Sequence, residues 1–269
     1  MREFAEHIGQ FYDRRIQRTL FDRVFYADSG FLNFGYWRPD TVDAREACEN
    51  LMEELLGLLP EKKGKILDVA CGNGATTRYL CKYYEPADVV GINVAKAQLQ
   101  KCRENAPGCT FLEMDATSMD FPDSSFDNVI CVEAAFHFDT REKFLAEAYR
   151  VLKDGGRLLL TDILFPNGFS RQPQANVAVK DADDYEAMCR RAKFIDVDVL
   201  DTTEECLHGM FAYAGRIARQ RLPWLAARPE LMYRFVRNLE RDWRDRSYVL
   251  ASCAKSRAPS AKAKRGRRG

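Results

Sequence analysis

The segment Ile66-Leu67-Asp68-Val69-Ala70-Cys71-Gly72-Asn73-Gly74 joins a run of strand-forming residues to a turn with glycine at alternate positions. Glycine at 72 and 74 removes the Cβ atoms that would hold a ligand away from backbone amides. In an open α/β sheet the ligand crevice lies at the carboxyl ends of the strands, where such a turn falls. Two ligand chemistries compete for it. The pyrophosphate of a dinucleotide asks for a third glycine, as G-x-G-x-x-G, and Thr77 holds that place. Asp68 precedes the turn; its charge repels pyrophosphate but suits the ammonium of an amino-acid ligand, directly or through water.

Polar residues close the following strand patterns as well. Val90-Gly91-Ile92-Asn93 ends in an amide able to donate to and accept from ribose hydroxyls, without charge assistance. Met114-Asp115-Ala116 sets Asp115 to accept from an adenine amine, with the Ala116 backbone beside it. Alone, an Asp at a strand end reads as a helix cap, so Asp115 counts only in company. Glu133 and Ala134 follow the next strand, and His137, one of three histidines, stands just past it. A near-neutral imidazole is a suitable base for a hydroxyl. The competing reading makes His137 a cap for the helix that begins at Thr140. His7 and His208 have no comparable context.

The elements that must position these residues follow from periodicity. Apolar runs predict strands at 65–70, 87–93, 109–115, 126–132, 157–164, 194–201 and 246–253. Amphipathic spacing predicts helices at 75–84, 95–105, 140–152, 182–192, 204–220 and 229–242, with Lys153-Asp154-Gly155-Gly156 as a glycine stop for the third. This alternation implies a Rossmann-like α/β fold, a seven-stranded and mostly parallel sheet with helices on both faces. Residues 1–60 read as a helical segment covering the strand ends, 61–256 as the ligand-binding domain with a helical insertion at about 204–242, and 257–269 as a basic disordered tail.

Composition narrows the class. With 46% hydrophobic and 30% charged residues the chain is ordinary globular material, and no apolar run approaches bilayer length. No secretory signal is readable at the N-terminus, so a cytoplasmic location is expected. Nine cysteines, none spaced C-x-x-C, read as reduced core thiols, and no metal site is expected. Seven basic residues and no acids lie between Lys255 and Gly269, which leaves 34 basic against 40 acidic residues elsewhere, a net charge of −6. An acidic body argues against nucleic acid as the partner.

Taken together, LDVACGNG, GINVAKAQL, MDATSMDFPDSSFDNVICVEAAFHF and REKFLAEAYRVLKDGGRLLLTD resemble the class I S-adenosylmethionine-dependent methyltransferases. The resemblance spans about residues 36–164 well. It is nearest to sugar and macrolide O-methyltransferases of natural-product pathways, and the GIN…QL stretch is also similar to tocopherol and cyclopropane-fatty-acid methyltransferases. It implies S-adenosyl-L-methionine as methyl donor and a small-molecule acceptor. It further implies Asp68, Ala70, Gly72, Gly74, Asn93, Gln98, Asp115, Ala116, Glu133 and Ala134 around the cofactor, with Tyr36 and Trp37 near it. An amide at 93 departs from the Asp or Glu of most methyltransferases but is usual in the second group. In similar sugar enzymes the base stands at the position of His137, and an acid ending the fifth strand, here Asp162, assists as its orienting or substrate-gripping partner.

Ten aromatic residues between positions 1 and 40 fit a covering segment that excludes water from a reacting centre. The interleaved Arg14, Arg15, Arg18 and Arg23 read as a solvated helix face. Two other functions are weighed. One is carbon methylation of a prenyl or other alkene-bearing molecule, with aromatic rings stabilising a cation. The other is an RNA-binding or RNA-modifying factor recruited by the basic tail, against which Glu133-Ala134-Ala135-Phe136-His137 lacks the Pro-Pro-aromatic motif of base-methylating enzymes.

Overall fold

The computed structural model describes residues 29–166, 178–221 and 245–257, with residues 8–10, 26, 227–228, 230–231 and 234. Most of the expected helix at 229–242, most of the 165–180 loop, His7, the four N-terminal arginines and the tail beyond Arg257 lie outside these residues.

Seven strands form one sheet: β1 (Ile66–Val69), β2 (Val89–Asn93), β3 (Thr110–Glu113), β4 (Phe126–Val132), β5 (Leu152–Leu164), β6 (Ile195–Asp201) and β7 (Ser247–Ala254). Their spatial order is β3-β2-β1-β4-β5-β7-β6. The four pairings from β3 to β5 are parallel, and β7 runs antiparallel to both β5 and β6. The Rossmann-like α/β architecture expected from the alternation of elements is therefore present.

Strand parity decides what each face carries. Ile66, Ile130, Leu159 and Tyr248 point into one apolar cluster, which α1 (Ala44–Gly57), α2 (Ala75–Leu80) and α6 (Gly209–Arg221) cover. Leu67, Val69, Cys131, Leu158 and Leu160 point into the opposite cluster, beneath α4 (Arg141–Val151) and α5 (Ala182–Arg191). A smaller cluster of Cys71, Leu99, Cys102, Ala106 and Phe111 seats α3 (Lys96–Asn105). The α1 helix begins at Asp43, whose side chain accepts from the Glu46 amide, and buries residues 44, 47, 48, 51, 52, 55 and 56, a helical stripe. It falls inside the segment 1–60 but packs as part of the sheet's core. Among the described residues no helix is long and apolar enough to cross a membrane.

Lys153-Asp154-Gly155-Gly156 does not stop a helix. The α4 helix ends at Val151, Leu152 is already extended and pairs with Phe126, and the glycines lie inside β5. Lys255 secures them, since Gly155 donates to its carbonyl and its amide donates to Gly156. Pairing with β4 and β7 overrides the local signal.

The turn after β1 is held by contact with α3. Gly74 has φ +82°, and a Cβ there would lie 2.8 Å from the Cys102 Cα atom. At Gly72, φ +54°, a Cβ would meet only the Leu32 side chain at 3.5 Å. Gly74→Ala is therefore expected to cost about 2–4 kcal/mol, from left-handed backbone plus overpacking. Gly72→Ala should cost about 1 kcal/mol from the backbone alone. Urea denaturation of both variants checks this; equal midpoints would contradict it.

Candidate active site

The ends of β1, β2, β3 and β4 open onto one solvent-connected cavity. Of the residues singled out from sequence, Asp68, Ala70, Gly72, Asn93, Gln98, Asp115, Ala116, Glu133, Ala134 and His137 all line it. Gly74 shapes the turn from behind.

Asp68 is 1% exposed, yet its side chain forms part of the cavity wall. Strand parity turns it toward α2, and both Thr76 Oγ1 (2.8 Å) and Thr77 Oγ1 (2.6 Å) donate to its Oδ2. Burial pushes the carboxyl up to about 6, against the opposing pull of the two hydroxyls. Thr77, which occupies the place of a third glycine, thus holds the acid at the end of β1. Hydroxyls at the second and third positions of a helix that follows such a strand are the signal for this clamp.

Asn93 and Gln98 meet directly. The Asn93 amide donates to Gln98 Oε1 at 2.9 Å and to the Gly72 carbonyl at 3.3 Å, and its Oδ1 accepts from the Ala95 amide. The end of β2, the first turn of α3 and the glycine turn are therefore tied at one point. Asp115 caps a local turn, accepting from the amide and hydroxyl of Thr117 at 2.8 Å each, while remaining on the cavity wall. Cys71 is buried beside Cys102, with 3.7 Å between sulfurs, and that contact with burial raises its thiol well above the ordinary range. It is an inert, small residue there.

Across the cavity, His137 closes a short 3₁₀ turn, Ala135–His137, its ring 3.9 Å from that of Phe136. The turn is fixed from beneath by Asp162, which accepts from the Phe136 amide at 3.0 Å and the Ile163 amide at 2.9 Å. Its second oxygen accepts from Arg141 Nε at 2.5 Å. Asp162 is fully buried and does not line the cavity. Parity with Leu158 and Leu160 points it toward α4, where Arg141 waits, so its reading as a substrate-gripping residue is corrected: it holds the His137 turn and a buried guanidinium.

Tyr36 and Trp37 also stand outside the cavity wall. Trp37 stacks on Tyr213 with 4.5 Å between ring centroids, and its indole donates to the Phe34 carbonyl. Gly209 lets it approach α6, because a Cβ there would lie 2.4 Å from the Trp37 Cβ. Trp37 thus packs against α6, and neither member of the pair, expected near the cofactor, lies on this wall. The wall is built instead by Gly30, Phe31, Leu32 and Asn33, with Ile8. Sequence reasoning assigned a cover to this part of the chain but not these residues, since a covering loop has no period to read. His208 is a surface residue, paired with Glu204 at 2.6 Å.

A family model described as a methyltransferase domain matches residues 67–160, the stretch from β1 to β5. O-methyltransferase cnsE of Penicillium expansum is 30% identical over 73% of this chain and 75% of its own. The chain belongs to the class I S-adenosylmethionine-dependent methyltransferases. Methyltransferase GfsG of Streptomyces halstedii is 29% identical over 75% of this methyltransferase and 77% of its own length. The 27-O-demethylrifamycin SV methyltransferase of Amycolatopsis mediterranei is 32% identical over 60% of this chain, and the match spans 65% of its length. Among solved structures, the [4+2]-cyclase SpnF superposes with a TM-score of 0.76 at 21% identity, covering 94% of this chain and 97% of that one, a likeness of fold.

The Arg141–Asp162 pair is the methyltransferase's buried ion pair, 3% and 0% exposed. Removing the cation alone leaves an uncompensated buried charge. Arg141→Leu is expected to lower stability by about 3–5 kcal/mol. Thermal and urea unfolding measure it, and a loss within about 0.5 kcal/mol, typical of surface sites, would show that the pair is not structural.

Proposed function

We propose that this methyltransferase moves a methyl group onto a hydroxyl of a small, natural-product-like acceptor, with His137 as general base. The reading rests on one observation: His137 stands on the wall of the cavity that also holds the glycine turn and the strand-end polar residues. Relatives named as O-methyltransferases, or for a 27-O-demethyl compound, support the hydroxyl as acceptor atom.

The residues fit the cofactor. Asp68, desolvated and held by two hydroxyls, presents a carboxyl to the ammonium of its amino-acid part. Gly72 and Gly74, with Ala70 at φ +56°, keep the backbone close and free of side chains there. Asn93, steadied by Gln98, is suited to the ribose hydroxyls, and Asp115 with Ala116 to the adenine edge. Bound there, S-adenosylmethionine supplies an electrophilic methyl carbon on a sulfonium. The chain's own work is to align the acceptor and remove its proton. His137 would accept the acceptor's hydroxyl proton, and Phe31, Leu32 and Ile8 exclude water from that side of the cavity. Asp162 acts through the turn that carries His137 and does not touch the acceptor.

Two outcomes are expected. His137→Ala should lower methyl transfer to hydroxyl-bearing polyketide and sugar acceptors by about 10²–10⁴-fold, with S-adenosylhomocysteine affinity nearly unchanged. Product mass and NMR check it, and a methyl found on carbon, or full activity without His137, would sink the reading. The second concerns pH. Asp68 keeps its proton up to about 6 when folded, against an ordinary 3.8. Its contribution to stability is thus present below the ordinary value and lost as pH rises through about 6. An ammonium ligand prefers the ionised form, so S-adenosylhomocysteine should bind about tenfold tighter at pH 7 than at pH 5, by calorimetry. Asp68→Asn should flatten that rise; an unchanged slope would assign it to another group.

A further inference from the structure

Glu133 is the first residue past β4, and its backbone is left-handed, φ +51°. For a residue with a Cβ that conformation is unfavourable, and it persists only where the surroundings demand it. The surroundings are specific. The Glu133 amide donates to Thr161, whose carbonyl and Oγ1 are both 3.0 Å away. One carboxyl oxygen, Oε2, accepts two hydrogen bonds, from the Phe34 amide at 2.8 Å and from Tyr248 Oη at 3.0 Å. Tyr248 Oη in turn lies 3.1 Å from Thr161 Oγ1.

Two separate pieces of chain therefore meet on one oxygen, and a third, Thr161, holds the Glu133 amide. Thr161 and Tyr248 come from the adjacent strands β5 and β7, which are rigid parts of the sheet. Phe34 lies 99 residues away, and the three residues before it, Phe31, Leu32 and Asn33, form the cavity's cover. Phe34 itself packs on Phe211 of α6. The Glu133 side chain is the direct tie between the cover and the strand end that carries Ala134 and His137.

We propose that Glu133 is a positioning residue for methyl transfer, a pin that holds the 31–34 segment over the cavity by accepting the Phe34 amide. Its work depends on an acceptor oxygen at that place and not on negative charge. Both bonds fall on the same oxygen, so an amide oxygen in its stead keeps them. Burial, which pushes the carboxyl up to about 8 against the pull of the Phe34 amide and the Tyr248 hydroxyl, agrees with a role that the neutral group performs equally well. The inference rests on the reading of this cavity as the cofactor and acceptor site.

The experiment compares Glu133→Ala with Glu133→Gln, two substitutions that leave the left-handed backbone cost in place. Two readouts are used on the full chain: chymotryptic cleavage at Phe31, Phe34 and Trp37 in ligand-free protein, and calorimetric affinity for S-adenosylhomocysteine. Glu133→Ala is expected to speed cleavage at those sites and weaken the ligand by about tenfold, the effect of losing hydrogen bonds at a buried acceptor. Glu133→Gln should restore most of both losses. A merely structural role predicts that affinity follows the unfolding temperature of each variant; the pin predicts loss in the Ala variant at temperatures where it is fully folded. Should Glu133→Gln be as impaired as Glu133→Ala, charge is what matters and the proposal is overturned. Unchanged cleavage in Glu133→Ala overturns it as well. Wild-type protein that shows normal, Glu133-dependent cleavage but no heat from S-adenosylhomocysteine overturns the cofactor reading and, with it, the link to methyl transfer.

Discussion

Three carboxyl groups stand side by side at the ends of the central strands β1, β4 and β5, two of them, Asp68 and Asp162, fully buried and Glu133 partly so. A buried carboxylate without donors is costly, so each dictates what packs around it. Asp68 takes the two hydroxyls that open α2. Glu133 takes a backbone amide from the covering segment and a phenol from β7. Asp162 takes a guanidinium and two amides. Each set of donors comes from a different part of the chain, and together they locate α2, the cover and the His137 turn relative to the sheet.

The three differ in how much of their bonding capacity the fold consumes, and this separates binding from support. Asp162 has both oxygens engaged by the protein and lies off the cavity. Around Asp68, both hydroxyls bond to Oδ2 and the group remains on the wall, with burial holding its proton up to about 6. A cationic ligand relieves that penalty by giving the ionised form a partner. Preorganised but unsatisfied charge of this kind is what a binding site needs; a satisfied ion pair is what a frame needs.

This division explains what was legible in the sequence. The strands are short apolar runs between punctuation, and the polar residues at their ends, from Asp68 to Glu133, all reach the wall of one cavity. Asp162 was legible as a strand-end acid, but its direction was not: the sign lay in its shared parity with Leu158 and Leu160 and in Arg141, 21 residues away, at the first position of α4. The extension of β5 through Gly155 and Gly156 was hidden because Lys-Asp-Gly-Gly is a helix stop by every local rule, and only pairing with Lys255 makes it strand. Tyr36 and Trp37 were placed by resemblance, whereas the close approach allowed by Gly209 decides where the indole goes. Residues 30–33 carry no pattern at all, since a cover is defined by what it covers.

The amide at position 93 follows from the same accounting of donors and acceptors. Its NH₂ group faces two oxygens, Gln98 Oε1 and the Gly72 carbonyl, and its own oxygen faces the Ala95 amide. A carboxylate there would still accept from Ala95 but would turn a second oxygen onto the Gly72 carbonyl, within the glycine turn itself. It would also add a further charge to a wall that already carries Asp68, Asp115, Glu133 and Asp139. Asparagine gives up charge-assisted contact with a ribose and in return joins the glycine turn to α3 with a donor that an acid does not have. The neutral residue at 93 and the ionisable one at 68 are thus complementary: one secures the shape of the turn, and the other supplies the charge that a cationic ligand selects.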